Sequence, residues 1–172
     1  MTAAAGELTP DVLRGAFATF PSGITAVAAI RDGQPRGLVA SSFTSVSLDP
    51  PLVSVCIART SATWPELRPA PRLGLSVLAE EHGNVARSLA AKGIERFAGV
   101  SWDRTQQGAV FVHGSALWLD CTRYDEFRAG DHEIVLLSIQ QLWTYPGVSP
   151  LVFHGSRFRR LRSVESCGGV DS

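Results

Sequence analysis

Lysine is nearly missing from this chain of 172 residues: of sixteen basic residues fifteen are arginine and one, Lys92, is lysine. A Schiff-base or phosphate-loop lysine therefore has almost no candidate, and any bound phosphate must be held by arginine, hydroxyls and backbone N–H groups. Excess charge is missing as well. Sixteen acidic residues balance the basic ones, so the chain lacks the basic surplus that draws proteins to nucleic acid or anionic lipid, and neither partner is expected. No apolar run reaches the roughly 20 residues needed to cross a bilayer, and Met1 to Gly6 shows no basic start followed by a long apolar stretch. A cytoplasmic protein with no membrane partner is expected.

Cys56, Cys121 and Cys167 are odd in number, far apart and without a Cys-x-x-Cys pair, so they read as reduced, mostly buried thiols. His82, His113, His132 and His154 have no ligand spacing among themselves, and no metal site is expected. G-x-G-x-x-G, Walker and G-x-S-x-G motifs are also missing, which removes the Rossmann turn, the nucleotide-hydrolysing loop and the nucleophile elbow.

What is present is an ordinary globular composition, 45% hydrophobic and 19% charged, expected to form a single domain over residues 1–172. Its core is expected from about Leu13 to Leu161, with a polar, frayed tail from Arg162 to Ser172. Thr9-Pro10-Asp11 is a helix start followed by Leu13, Phe17 and Phe20 at helical spacing, ended by Pro21-Ser22-Gly23. Ile24 to Ile30, the turn Arg31-Asp32-Gly33 and the run Gly37 to Ala40 read as a hairpin. Leu52 to Ala58 reads as a buried strand. Thr63-Trp64-Pro65-Glu66 has capping-box spacing and predicts a short helix to about Arg68. Leu73 to Leu78 is extended, and Glu80-Glu81 opens a helix with Val85, Ala86 and Leu89 on one face, ending near Lys92-Gly93. Further strands are expected at about Val110–Val112, Ala116–Tyr124, Glu133–Leu142 and Leu151–Phe153. Six or seven strands with two or three inserted helices fit a mainly antiparallel barrel better than a parallel α/β sheet, which needs a helix after nearly every strand.

Three segments could carry chemistry. Ser41 to Ser47 is rich in hydroxyls at the end of a strand, where side-chain and backbone donors can cradle a phosphate or a polar ring edge, although a solvated turn has the same composition. Ser61 and Thr63 form a second hydroxyl cluster, for which a helix cap is the plainer reading. Gly130-Asp131-His132 sets a histidine at the start of an apolar strand, a position open to a catalytic role or to a simple turn contact. Cys56 and Cys121 both read as packed thiols, and Arg157, Arg159 and Arg160 as a solvated edge.

The runs Phe20-Pro21-Ser22-Gly23-Ile24-Thr25, Gly37 through Val53 and Gly130-Asp131-His132 resemble the short-chain flavin reductases of the split-barrel flavin-binding fold, over roughly Leu13 to Leu161. Leu73 to Ala79 and Arg96-Phe97-Ala98-Gly99-Val100 fall in the order that family shows. The resemblance implies a mainly β split barrel, antiparallel and Greek-key-like, with inserted helices. It implies a homodimer that takes a hydride from NADH or NADPH, passes it to FMN or FAD, and supplies the reduced flavin to a partner monooxygenase. It places Ala40, Ser41 and Ser42 at the flavin's ring edge and ribityl or phosphate groups, with Ser61 and Thr63 on the phosphate side. Leu78 and Ala79 would line the ring, Arg96 would neutralise phosphate, and Phe43 and Phe97, which accompany these residues in their motifs, complete the implied flavin-binding set. His132 would stand beside the nicotinamide as the catalytic histidine. Val39 stands where that family commonly has Thr and Ser41 where it often has Asn; one lost neutral hydrogen bond costs about 0.5–1.5 kcal/mol. Such chemistry asks little of side chains beyond stacking two rings, offering donors to developing charge and limiting water. A non-catalytic flavin-binding subunit and a split-barrel oxidoreductase acting directly on an organic substrate are the alternatives.

Overall fold

The computed structural model describes residues 7–93 and 95–162; Cys167 and the tail from Ser163 onward lie outside the described residues. Helix α1 (Pro10–Phe17) leads into β1 (Ser22–Gly23), β2 (Thr25–Arg31), β3 (Gln34–Ala40), β4 (Thr44–Leu48) and β5 (Pro51–Ala58). Then come α2 (Trp64–Leu67), β6 (Leu73–Val77), a 3-10 turn at Glu80–His82 and α3 (Gly83–Ala90). The remainder is β7 (Trp102–Arg104), β8 (Val110–Val112), β9 (Leu117–Ala129), β10 (His132–Thr144), β11 (Val152–His154) and β12 (Arg157–Arg159). Seven strands form one antiparallel sheet in the order β3-β2-β6-β9-β10-β5-β4. Asp32 and Gly33 both take positive φ, 51° and 76°, which gives the β2–β3 hairpin a turn whose twist suits the strands it joins.

Period-two alternation along these strands sends one set of apolar side chains to a common interior. Leu38 and Ala40 of β3 share a buried cluster with Val53, Val55 and Ile57 of β5, although those two strands are not hydrogen-bonded neighbours. The sheet therefore curls around its core into a barrel that is left open along the β3–β5 seam. Trp64 and Leu67 of α2 belong to the same cluster; burying a side chain such as Leu67 is worth about 1.5–3 kcal/mol. On the outer face a second cluster joins Ala26 and Ala28 of β2 to Val110 and Val112 of β8 and to Ala86 and Leu89 of α3. Gly37 lies where β3 meets this layer: a Cβ there would stand 2.9 Å from both Ala28 Cβ and the Phe97 ring, so no larger residue fits without displacing them.

Three expectations need correction. Thr63 does not cap α2: its backbone is already helical and its hydroxyl makes no cap bond, because Ser61 Oγ accepts from Trp64 N at 3.2 Å instead and Glu66 turns to Arg36. Helix α1 ends at Phe17, before the Pro21 stop, and none of its residues is buried, so its apolar spacing does not face this chain's core. Twelve strands are present among the described residues; β1, β7 and β12 are two or three residues long, too short to show a period. Strands β9 and β10 also run beyond the expected limits, since pairing with each other carries their polar outer halves.

Candidate functional site

The open seam holds the site. Thr44 and Ser54 pair where β4 meets β5, and β4 does not reach Cys56, whose backbone is met instead by the Ser42 hydroxyl. Ser42 Oγ accepts from Cys56 N at 2.8 Å and donates to Cys56 O at 3.2 Å, so a side chain continues the ladder where the strand has stopped. Beyond it lies a cavity of about 330 Å³ whose lining brings together Ala40, Ser41, Ser42, Ser61 and His132, with Val39 and Cys56. Ser41 is exposed and is shared with two adjoining cavities, one bounded by α1 and one by α3.

His132 reaches this cavity from the far side. Gly130, with φ of 65°, and Asp131 make the two-residue turn between β9 and β10, and Asp131 O accepts from Arg59 N at 3.0 Å. His132 pairs with Ala58 of β5 and Ala129 of β9, so its backbone is fixed on both edges. Its Nδ1 stands 2.8 Å from Asp131 Oδ1. An ionised carboxylate only accepts, so Nδ1 carries the hydrogen of this bond and Nε2 is the ring nitrogen left to meet a ligand. The same bond holds the Asp131 carboxyl below the usual range.

Further along β3 a smaller cavity of about 140 Å³ is lined by Thr63, Arg96 and Phe97, with Arg36, Gly37 and Glu66. Arg96 Nη1 donates to Gly37 O at 3.2 Å, while its buried Nε has no hydrogen-bond partner among the described residues. A buried guanidinium N–H without an acceptor is costly. An anionic oxygen such as a phosphate's would satisfy it; Arg68 Nε and Arg72 Nη1 are likewise buried without a hydrogen-bond partner among the described residues, but neither lines this cavity. The two cavities have no lining residue in common but follow one another along β3, the smaller against Pro35 to Gly37 and Thr63, the larger against Leu38 to Ala40 and Ser61.

Not every expected residue meets the cavities. Leu78 and Ala79 are buried, Leu78 within the outer-face cluster. Leu78 N donates to Ile24 O and its carbonyl accepts from Leu151 N, and Ala79 N donates to His82 Nδ1 at 3.1 Å. Phe43 packs against the inner core. Cys121 is fully buried, and burial pushes its thiol up to about 12, so it is chemically inert. Cys56, by contrast, is only half-buried and lines the ring cavity; alternation with Val55 and Ile57 was the signal that could have placed it there. Arg36, lining the smaller cavity, had no sequence signal. No cluster of three or more metal-ligating side chains occurs among the described residues, nor is any described helix long and apolar enough to cross a membrane.

An antiparallel barrel split along one seam, with hydroxyls and a histidine around the opening, is the architecture shared with the flavin reductase split barrels that the chain resembles. Residues 17–162 match the flavin reductase like domain, and the chain belongs to that family. It is 39% identical over 154 residues to the actinorhodin polyketide dimerase of Streptomyces coelicolor, covering 89% of this chain and 87% of that protein. It is 31% identical over 144 residues to the reductase subunit of a flavin-dependent monooxygenase from Mycobacterium tuberculosis, covering 84% and 77%. Among solved structures it resembles the NADH:FAD oxidoreductase of Streptomyces globisporus in complex with NAD and FAD fragments. The TM-score there is 0.86 at 32% identity, over 94% of this chain and all of that one.

Proposed function

We propose that this protein is an NAD(P)H:flavin oxidoreductase that reduces FMN or FAD and supplies the reduced flavin to a partner monooxygenase. The observation that carries the reading is the pair of cavities along β3, with an unsatisfied guanidinium N–H at one end and His132 facing Ser41 at the other. The family match and the resemblance to an NADH:FAD oxidoreductase support it, and the monooxygenase reductase subunit among its relatives supports the partner.

When bound, flavin supplies the hydride acceptor for the reduced nicotinamide. Arg96 and Thr63 hold the phosphate end, and Ser41, Ser61 and the β3 backbone meet the ring and its side chain. Ser42 keeps the seam at a fixed width by its bonds to Cys56. His132, held by Asp131, offers Nε2 to the donor's carboxamide and fixes the nicotinamide over the cavity; hydride transfer leaves no proton that it must remove. Water exclusion falls to the apolar walls Leu38, Val39 and Ile57 of the same cavity.

The working form is a homodimer of single-domain subunits in the cytoplasm. Leu48, Tyr124, Phe127 and Leu142 are large apolar side chains exposed on one subunit, and a second subunit would cover such residues if it packed on that face.

The test is aerobic oxidation of NADH and NADPH by the purified protein, with and without FMN, FAD or riboflavin. Oxidation that requires added flavin is expected. No oxidation with any flavin, while flavin fluorescence is still quenched on binding, would leave a flavin-binding subunit in its place.

A further inference from the structure

Helix α2 is tied to both sides of the open seam. It is a single turn, Trp64–Leu67, too short to keep its place by helical hydrogen bonding alone. Trp64 and Leu67 anchor its inner face in the core. On the β3 side Glu66 Oε2 meets Arg36 Nε at 3.2 Å. On the other side Arg68, the residue that ends the helix, meets two carboxylates through one nitrogen: its Nη2 bonds Glu126 Oε2 of β9 at 2.9 Å and Glu133 Oε2 of β10. These two carboxyl side chains are only 16% and 20% exposed, so the contacts are screened less than those of a surface pair.

The two ends of this connection stand at the two ends of the site. Glu133 follows His132 and pairs with Ile57 of β5, and alternation along a strand puts the two side chains on opposite faces of β10. The tie is thus made directly behind the histidine. At the start of α2, Ser61 lines the ring cavity and Thr63 the smaller one. Thr63 O accepts from Glu66 N at 3.1 Å and from Leu67 N at 3.2 Å, so the turn follows the helix.

We propose that Arg68 is a positioning residue for the flavin: by tying α2 to Glu133 it sets the distance between the Thr63 turn, which holds the phosphate, and the strand that carries His132. The inference rests on the reading above, which puts the phosphate at Thr63 and Arg96. Arg68 lines neither cavity and acts only through the place of the turn. Without the tie, the turn is held by the core anchors and by Arg36 of β3, and its spacing from β10 is no longer fixed. The loss falls on a flavin that carries a phosphate.

The test compares FMN and riboflavin affinities by fluorescence titration. Arg68→Met should weaken FMN by about tenfold and leave riboflavin near its wild-type affinity. Arg68→Lys, which keeps a cation within reach of the carboxylates, should restore most of the FMN binding. Because Arg68→Met strands two mostly buried carboxylates, Glu133→Met is the second variant; it severs the tie to β10 and leaves Arg68 paired with Glu126. It should show the same selective loss, and Glu133→Gln, which keeps an acceptor, should recover it. A merely structural ion pair would lower the melting temperature and leave the ratio of FMN to riboflavin affinity unchanged, and that result in Glu133→Met overturns the proposal. In a Thr63→Val background the Glu133→Met change should weaken FMN no further; losses that add would mean that the tie does not act through the turn. A wild type that binds FMN no better than riboflavin would remove the phosphate reading, and the proposal with it. A preference for FMN that Arg96→Met abolishes and Glu133→Met does not alter would leave that reading standing and overturn the proposal alone.

Discussion

Ser42 and Cys56 are joined twice, the hydroxyl of one accepting from the backbone N–H of the other and donating to its carbonyl. A serine side chain thereby does what a strand does elsewhere in the sheet, and it does so at the place where the barrel is open. Ser42→Ala leaves a backbone N–H and C=O of β5 unmatched beside the cavity. It should cost about 1–3 kcal/mol of stability, toward the lower end because the site is only partly buried. Chemical denaturation of the flavin-free protein measures this, and an unchanged midpoint would contradict the stitching role.

Arg96 lines the smaller cavity with a buried guanidinium N–H that has no hydrogen-bond partner among the described residues, where the proposed reading puts the flavin phosphate. Replacing it by methionine should weaken FMN by roughly 10- to 100-fold, the worth of a charge-assisted hydrogen bond of about 1.5–3 kcal/mol, and should leave riboflavin, which has no phosphate, near its original affinity. Fluorescence titration with the two flavins reads the difference. Equal losses for both would place the phosphate elsewhere.

Cys56 lines the ring cavity and Cys121 is sealed in the core with its thiol pushed up to about 12. Alkylation followed by peptide mass mapping should modify Cys56 and spare Cys121 in the folded protein. Saturating FMN should slow modification of Cys56 by about tenfold or more, since access and occupancy compete for one space. A rate indifferent to FMN would mean that the flavin lies outside this cavity.

His82 closes the 3-10 turn before α3 by accepting Ala79 N at Nδ1, and burial lowers its pKa below the ordinary imidazole value, against the opposing effect of Glu81. Between the lowered folded value and the ordinary value near 6.5, the unfolded chain binds more protons than the folded one. The contribution of neutral His82 is therefore complete above about pH 6.5 and is lost as the pH falls through the folded value. Protonation also removes the Nδ1 acceptor, a loss of about 1 kcal/mol, the size of a helix cap. The melting temperature of the wild type should fall more steeply between about pH 7.5 and 5.5 than that of His82→Asn, which does not titrate. Parallel profiles would contradict this.

Much of the barrel was legible because its strands alternate. Leu52 to Ala58 and the Asp32-Gly33 turn stood out by pattern and turn chemistry, and the face of α3 by the spacing of Val85, Ala86 and Leu89. Strands β1, β4, β7 and β12 did not: β1, β7 and β12 are two or three residues long and lack the apolar run that marked the equally short β8, and β4 falls in the hydroxyl segment that read as a turn. At the site, the hydroxyl segment and Gly130-Asp131-His132 were visible as motifs, and their meeting across the seam is a matter of sheet order that no local pattern contains. Leu78 and Ala79 came by resemblance, and their side chains are buried away from the open cavities. Arg14 and Phe17 were readable only as a helix face, since what that face bounds depends on the return of β11 from the other end of the chain.

Hydride transfer at the junction of Ser41 and His132 is the step on which the proposed function depends. The most direct measurement is anaerobic rapid mixing of the protein–FMN complex with reduced nicotinamide, following loss of the oxidised flavin's visible absorbance in the wild type and in His132→Ala. Bleaching within a turnover is predicted for the wild type. In His132→Ala it should be slower by about tenfold, the loss of one orienting hydrogen bond, at an unchanged FMN affinity. Equal rates for the two proteins would remove His132 from the reaction, and absence of bleaching in the wild type would contradict the reductase reading itself.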